Sequence, residues 1–210
     1  MDARRAALVM AELEKLYPEA KPELNFRNPF ETLIATILSA QCTDRRVNIV
    51  TSRLFPMYPD AFAMAKLEPE ELEPLIRECG LYRSKAKNIV AASRALVEQY
   101  GGRVPSTRKE LMALPGVGQK TAGVVLLAAF GDDQIPVDTH VFRVSRRIGL
   151  ADGHTPEKVE EQLRGLLERE IWSLGHHLII WHGRRCCHAR KPECGRCPLN
   201  DELCEKHMEN

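Results

Sequence analysis

Apolar residues recur at three- and four-residue spacing from one end of this 210-residue chain to the other. That is the helical period, and the period of two that a half-buried strand needs is almost absent. Start and stop residues cut the pattern into segments. Asn28-Pro29 opens a helix with Phe30, Leu33, Ile34, Ile37 and Leu38 on one side. Thr43 can cap the next, which carries Val47, Val50 and Leu54 and ends at Pro56. Gly80 closes a helix begun near Pro69, and Ser84 can cap another that reaches Tyr100 before Gly101-Gly102. Thr107 starts a short helix with Leu111 and Leu114, and the segment from Gly118 to Phe130, apolar nearly all round, predicts a central buried helix. Asp138 sits where it can cap a further helix, Thr155-Pro156 opens another that closes near Arg169, and a last one holds Trp172, Leu174, Leu178, Ile179 and Trp181. The fold class this predicts is all-α, with about ten short helices and no repeat of fixed period. The length allows one domain or two small intertwined ones.

No membrane partner is expected. The longest nearly apolar run, Ala122 to Phe130, is far short of the ~20 residues a membrane helix needs. Asp2, Glu12 and Glu14 stand where a secretory signal would be apolar, so a cytoplasmic protein is expected.

Charge is evenly balanced, 30 Lys+Arg against 29 Asp+Glu for a net +1. A bulk-basic nucleic-acid binder would sit higher. The balance hides separation, however. Residues 60 to 78 hold six acids and two bases, whereas 83 to 94 hold Arg83, Lys85, Lys87 and Arg94 with no acid. Arg143, Arg146 and Arg147 form a second basic cluster. Arg184, Arg185, Arg190, Lys191 and Arg196 against Glu193 form a third. The first two read equally well as solvated helix faces. The third is interleaved with cysteines.

Five of the seven cysteines fall after residue 185, and Cys187-x6-Cys194-x2-Cys197-x6-Cys204 places four thiols within 18 residues. Local disulfides would be odd in a chain with no export signal. Four thiolates converging on a metal is the natural solution, and an all-sulfur shell suits zinc or an iron–sulfur cluster; spacing alone does not separate the two. Cys186 is a fifth candidate, sterically awkward beside Cys187. No residue of the loop except His188 is placed as a catalytic base, which favours a structural role for the metal.

Two further segments carry chemistry. Leu114-Pro115-Gly116-Val117-Gly118-Gln119-Lys120-Thr121 joins two helices through a two-glycine hairpin, whose N–H groups at the start of a helix welcome an anion such as phosphate. A plain interhelical turn reads the same way. Lys120 in the first turn of an apolar helix is at the wrong end of the macrodipole for a cation, and desolvation would also favour a neutral, nucleophilic amine; a snorkelling surface lysine is the alternative. In Val137-Asp138-Thr139-His140, Asp138 is either a simple N-cap or a rigidly held carboxylate. A fixed anion beside a neutral amine is what glycosidic-bond cleavage needs: one stabilises positive charge on the sugar while the other adds to C1′.

LPGVGQKTA, then VDTHVFRV, then HGRRCCHARKPECGRCPLNDELC resemble the endonuclease III family of DNA glycosylases, and LSAQCTDRRVN at 38–48 and GLYRSKAKNI at 80–89 extend the likeness over essentially the whole chain. The resemblance implies two α-helical domains: a six-helix domain at 22–132 containing the helix–hairpin–helix, and a cluster domain made of 1–21 plus 133–210. It implies an active site in the interdomain cleft with Lys120 and Asp138 facing each other, and a [4Fe–4S] cluster, one per chain, held by Cys187, Cys194, Cys197 and Cys204. It further implies that Gln41 and Leu81 enter the gap left by an extruded nucleotide, and that Gly116, Val117, Gly118, His140, Arg143 and Lys191 meet the DNA backbone. One departure is visible: the family's usual last cysteine spacing is five residues, and here Pro198 to Leu203 makes six.

The implied activity is that of a monomeric bifunctional glycosylase and abasic-site lyase acting on duplex DNA with a damaged pyrimidine or an abasic site. The base is flipped out because its sugar carbon is unreachable in the stack. Two rivals stand. A monofunctional adenine glycosylase relative usually lacks the hairpin lysine and uses a glutamate in the early helix, but Leu33 to Gln41 contains no carboxylate. A non-catalytic, metal-stabilised DNA-binding module would not need Lys120 and Asp138.

Overall fold

The structure, a computed structural model, describes residues 2–199 and 202–205. Among them are eleven α-helices: α1 (Ala3–Leu16), α2 (Pro29–Ser39), α3 (Asp44–Met57), α4 (Ala61–Ala65), α5 (Pro69–Ile76), α6 (Tyr82–Tyr100), α7 (Arg108–Met112), α8 (Gln119–Phe130), α9 (Thr139–Ile148), α10 (Pro156–Leu166) and α11 (Trp172–Arg185). Short 3-10 turns lie at Arg169–Ile171 and Cys194–Arg196. No described residue is in a strand. No helix is long and apolar enough to cross a membrane.

The starts are chemically explicit. Asp2, Asn28, Thr43, Asp60, Thr107, Asp138 and Thr155 each take the N-cap, and each side chain accepts a first-turn N–H that the helix cannot satisfy itself. Several boundaries differ from the sequence reading. The helix begun at Pro69 ends at Ile76, four residues before Gly80, and the one opened by Thr107 ends at Met112, before Leu114. Ser84 does not cap: α6 begins two residues earlier at Tyr82, after Leu81 in a left-handed conformation. Pro56 lies inside the last turn of α3, because the N–H of Tyr58 still reaches the Leu54 carbonyl at 3.0 Å. The helix opened by Thr155 ends at Leu166, and Arg169 belongs to the following 3-10 turn.

The chain forms two compact units, residues 22–132 and residues 1–21 with 133–210. In the first, α2 is buried from Phe30 to Leu38 and packs on α8, α3 and α6. Its one carboxylate, Glu31, sits in the first turn, where the helix dipole favours it, and pairs with Arg27 at 3.0 Å. The expectation that α8 is buried all round holds only for its middle. Ala122, Gly123 and Val125 to Leu127 are buried, whereas Gln119 and Lys120 at one end and Phe130 at the other are exposed.

The second unit is built on α1, α9, α10 and α11. Ala6, Val9, Met10 and Leu13 make the one-face stripe by which α1 packs on α11. Helix α11 also packs on α9, and Gly183 is what permits their close approach: a Cβ there would lie 2.9 Å from Val144 Cγ2.

Burial in this unit has a pH signature. Desolvation pushes His177 on α11 down to about 4, against about 6.5 for an unfolded histidine. A depressed histidine contributes stability that is full above about pH 6.5 and is lost as pH falls through about 4, since the unfolded chain binds the proton first. Urea melts at pH 7.5 and 4.5 are expected to show His177→Gln losing about 2 kcal/mol less on acidification than the parent chain. An identical loss in both proteins would show that His177 titrates normally.

Candidate active site and cysteine-loop site

The hairpin before α8 is a tight turn closed by the Val117 N–H on the Leu114 carbonyl at 3.1 Å. Gly116 has φ of 78°, and a Cβ there would lie 2.8 Å from Asn88 Cβ, so glycine is required both by conformation and by space. Gly118 is the N-cap of α8, with no side-chain cap bond and open space where its Cβ would be. The first turn of α8 contains no acid. This is an N-terminus whose amide dipoles suit an anion. Gly116 and Gly118 are exposed, whereas Val117 is buried and anchors the turn.

Lys120 stands in that first turn. The residue is exposed. Asp138 is the N-cap of α9, and its Oδ1 accepts the N–H groups of His140 and Val141, both at 2.8 Å. The carboxylate is thereby fixed to the helix it caps, and the residue is only partly buried.

The other sequence-predicted DNA residues fall into two kinds. Gln41 and Leu81 are exposed and have positive φ, 52° and 58°. Lys191 is also exposed with φ of 52°. Arg143 behaves differently. Its Nη2 donates to the carbonyls of Gly183 (2.9 Å) and Cys187 (3.1 Å), and contacts His140 Nδ1 at 3.2 Å. Burial, with Arg143 and Arg184 alongside, pushes His140 below its ordinary value despite the opposing Asp138.

Arginines organise the cysteine loop. Arg147 Nη1 donates to the His188 carbonyl at 2.6 Å and approaches Cys187 Sγ at 3.6 Å, while its Nη2 reaches the Ala189 carbonyl at 3.0 Å. Cys204 Sγ lies 3.6 Å from the carbonyl of the same arginine. One residue of α9 therefore touches the first and last thiols of the motif. Cys197 Sγ lies 3.7 Å from His182 Nε2, and Tyr17 Oη lies 3.1 Å from His182 Nδ1. No disulfide joins any of the seven cysteines.

The donor set fits an iron–sulfur cluster: the motif supplies four thiols with guanidinium groups beside them, and the Glu193 carboxylate within it pairs with Arg196. Cys186 brings a fifth sulfur near, since His182, Cys186 and Cys197 place donor atoms within 4.8 Å of one another. It is nevertheless buried, its Sγ faces the Glu193 carbonyl at 3.8 Å, and burial raises its pKa, which suits a protonated packing residue. The additional residue in the last spacing lies in a stretch of which 200 and 201 fall outside the described residues.

Sequence reasoning missed the loop contacts of Arg147 and His182, because each is made to a partner far along the chain. Arg147→Met is expected to hasten bleaching of the cluster absorbance near ~400 nm in air about tenfold, as outer-shell losses generally do. Unchanged bleaching would show that the loop is held without Arg147.

Comparison with known proteins agrees with this geometry. Residues 34–169 match the model of the HhH-GPD superfamily of base excision DNA repair proteins, and residues 187–204 match the iron–sulfur binding domain of endonuclease III. The cofactor is a [4Fe–4S] cluster. The chain is 49% identical over 197 residues to endonuclease III of Synechocystis, covering 93% of this chain and 90% of that protein. It is 47% identical over 205 residues to endonuclease III of Escherichia coli K12, covering 98% and 97%. It superposes on a non-covalent endonuclease III–DNA complex and on a trapped endonuclease III–DNA covalent intermediate, each with a TM-score of 0.94 at 46% identity, covering 100% of this chain and 98% of the other. A hairpin, a helix-start lysine, a capping aspartate and a thiol loop thus occur in one chain with near-full-length similarity, and the chain belongs to the endonuclease III family within the HhH-GPD superfamily.

Proposed function

We infer that the protein is a bifunctional DNA glycosylase and abasic-site lyase of base excision repair, which removes oxidised pyrimidines from duplex DNA and nicks the strand. The observation that carries this reading is the presence of Lys120 in the first turn of α8 and of Asp138 as the N-cap of α9 in a chain that superposes on a trapped covalent DNA intermediate.

In the proposed reaction, the Lys120 amine adds to C1′ of an extruded nucleotide while the C1′–N glycosidic bond breaks and the base leaves with the bonding pair and a proton. Asp138 stabilises the positive charge that develops on the sugar. The sugar ring opens, Lys120 Nζ and C1′ form an imine, and loss of a C2′ proton expels the 3′ phosphate, which nicks the strand. Water then hydrolyses the imine and frees Lys120. Lys120 belongs to the unit 22–132 and Asp138 to the other. We take these units as the hairpin domain and the cluster domain.

Backbone N–H groups at Gly116, Val117 and Gly118 are proposed to hold phosphate without reading sequence. His140 would add a neutral donor, and Lys191 a charge from the cysteine loop. Arg143 would act indirectly, by holding that loop to α9. Cys187, Cys194, Cys197 and Cys204 would hold the cluster, whose bonds supply folding energy to the loop. Duplex DNA as substrate and bacterial relatives support a cytoplasmic, nucleoid-associated monomer.

The test is a panel of duplexes carrying an oxidised pyrimidine, an abasic site or an adenine mispair, scored separately for base release and strand cleavage. Release of the oxidised pyrimidine with coupled cleavage is expected. Release of mispaired adenine without cleavage, or no reaction on any duplex, would overturn the reading.

A further inference from the structure

We propose that Lys85 is a positioning residue that locks the Gln41 and Leu81 turns into one preorganised pair of tips for the gap in DNA. The inference rests on the reading of Gln41 and Leu81 as the residues that enter that gap.

Both tips are exposed, and both hold a left-handed backbone that L residues rarely adopt. Such a conformation persists only where the surroundings over-determine it. Here the surroundings converge on Lys85. The residue is 4% exposed, and its Nζ donates to the Leu38 carbonyl at 2.7 Å. That carbonyl is in the last turn of α2, where carbonyls lack a partner within the helix and a cation is favoured. Gln41 follows three residues later. The backbone N–H of Lys85 donates to the Leu81 carbonyl at 3.0 Å. One residue thus grips the end of the helix leading to the first tip and the carbonyl of the second.

Two neutral contacts complete the clamp. A Cβ on Gly80 would lie 3.3 Å from the Gln41 carbonyl, so the two turns run backbone against backbone. Cys79, fully buried, meets Cys42, and burial together with that neighbour pushes the Cys79 thiol up to about 12, so it stays protonated. Removing the Lys85 ammonium therefore removes the charged tie and leaves the packing. Tips that are already ordered bind without the cost of ordering them.

The test uses holoprotein and a duplex with a tetrahydrofuran abasic analogue opposite 2-aminopurine, whose fluorescence reports unstacking of the opposing base. Lys85→Met is expected to weaken binding to this duplex about tenfold, the size of one lost charge-assisted hydrogen bond, and to abolish the fluorescence change at saturation. Affinity for undamaged duplex should stay the same. Lys85→Arg, which keeps a charged donor, should retain more of the signal than Lys85→Met. Leu96→Ala, which opens a cavity in the buried face of the same helix, controls for loss of stability and should lower Tm without altering fluorescence.

Wild-type fluorescence and affinity in Lys85→Met would overturn the proposal. So would an equal loss of affinity for damaged and undamaged duplexes shared with Leu96→Ala, which would make Lys85 merely structural. Gln41→Ala and Leu81→Ala separate the two levels: if neither alters the wild-type signal, the gap reading itself fails and takes the clamp with it.

Discussion

Lys120→Ala is expected to abolish the covalent enzyme–DNA adduct that borohydride traps, and to slow base release by about 10³-fold or more, because the proposed reaction takes its nucleophile from Lys120. The variant should fold normally. Lys120 is an exposed residue at the start of α8, and alanine is the best helix former, so the stability change should be within about 0.5 kcal/mol. Binding to an undamaged duplex should be nearly unchanged, since the hairpin N–H groups are backbone atoms. Gel-shifted adduct after borohydride reduction of a labelled abasic duplex is the direct measurement. A normal yield of adduct from the alanine variant would remove Lys120 from the reaction.

Asp138→Asn is expected to slow base release about 10²- to 10³-fold, the usual scale for losing one preorganised electrostatic partner of a transition state. The substitution is chosen because asparagine caps helices as well as aspartate does. Its side-chain oxygen can still accept the His140 and Val141 N–H groups, so α9 should keep its stability while the charge disappears. Asp138→Ala removes the cap as well and should cost about 1 kcal/mol more. The two steps of the reaction should respond unequally. Charge on the sugar develops as the base departs, so release of an oxidised pyrimidine should fall further than cleavage of a preformed abasic site. Equal loss in both would move the carboxylate's role from the sugar to the Lys120 amine.

Much of this site is legible because its parts are local. Asp138, Thr139 and His140 form a cap from three consecutive residues. The hairpin glycines are set by a turn only a few bonds long, and the four thiols by spacing within one loop. The misreadings share a different origin. Lys85 and Arg94 looked like members of a solvated basic face, yet Lys85 is buried against Leu38, and Arg94 donates to the carbonyls of Ala65 and Leu67. Arg143 and Arg147 belong to a basic cluster that read equally well as a solvated helix face, yet both spend donors on the cysteine loop, some forty residues further along the chain. Ser84 looked like a cap because serine caps helices, but the packing of Gly80 against the Gln41 carbonyl and the left-handed Leu81 start α6 earlier.

The same contrast settles what the near-zero net charge meant. The sequence by itself determined the helical segments, the hairpin, the cap and the thiol motif, since each depends on periodicity or on groups within a turn or two. Only the tertiary structure decided which cations remain for a partner. Arg83, Lys87, Arg146, Arg190 and Lys191 are exposed, whereas the buried Lys85 and the inward-turned Arg143 and Arg147 are held by backbone carbonyls. A buried cation must find an acceptor, and the acceptors here lie 47, 40 and 41 residues away in the chain. No local pattern carries that information; the packing that brings those carbonyls into reach does.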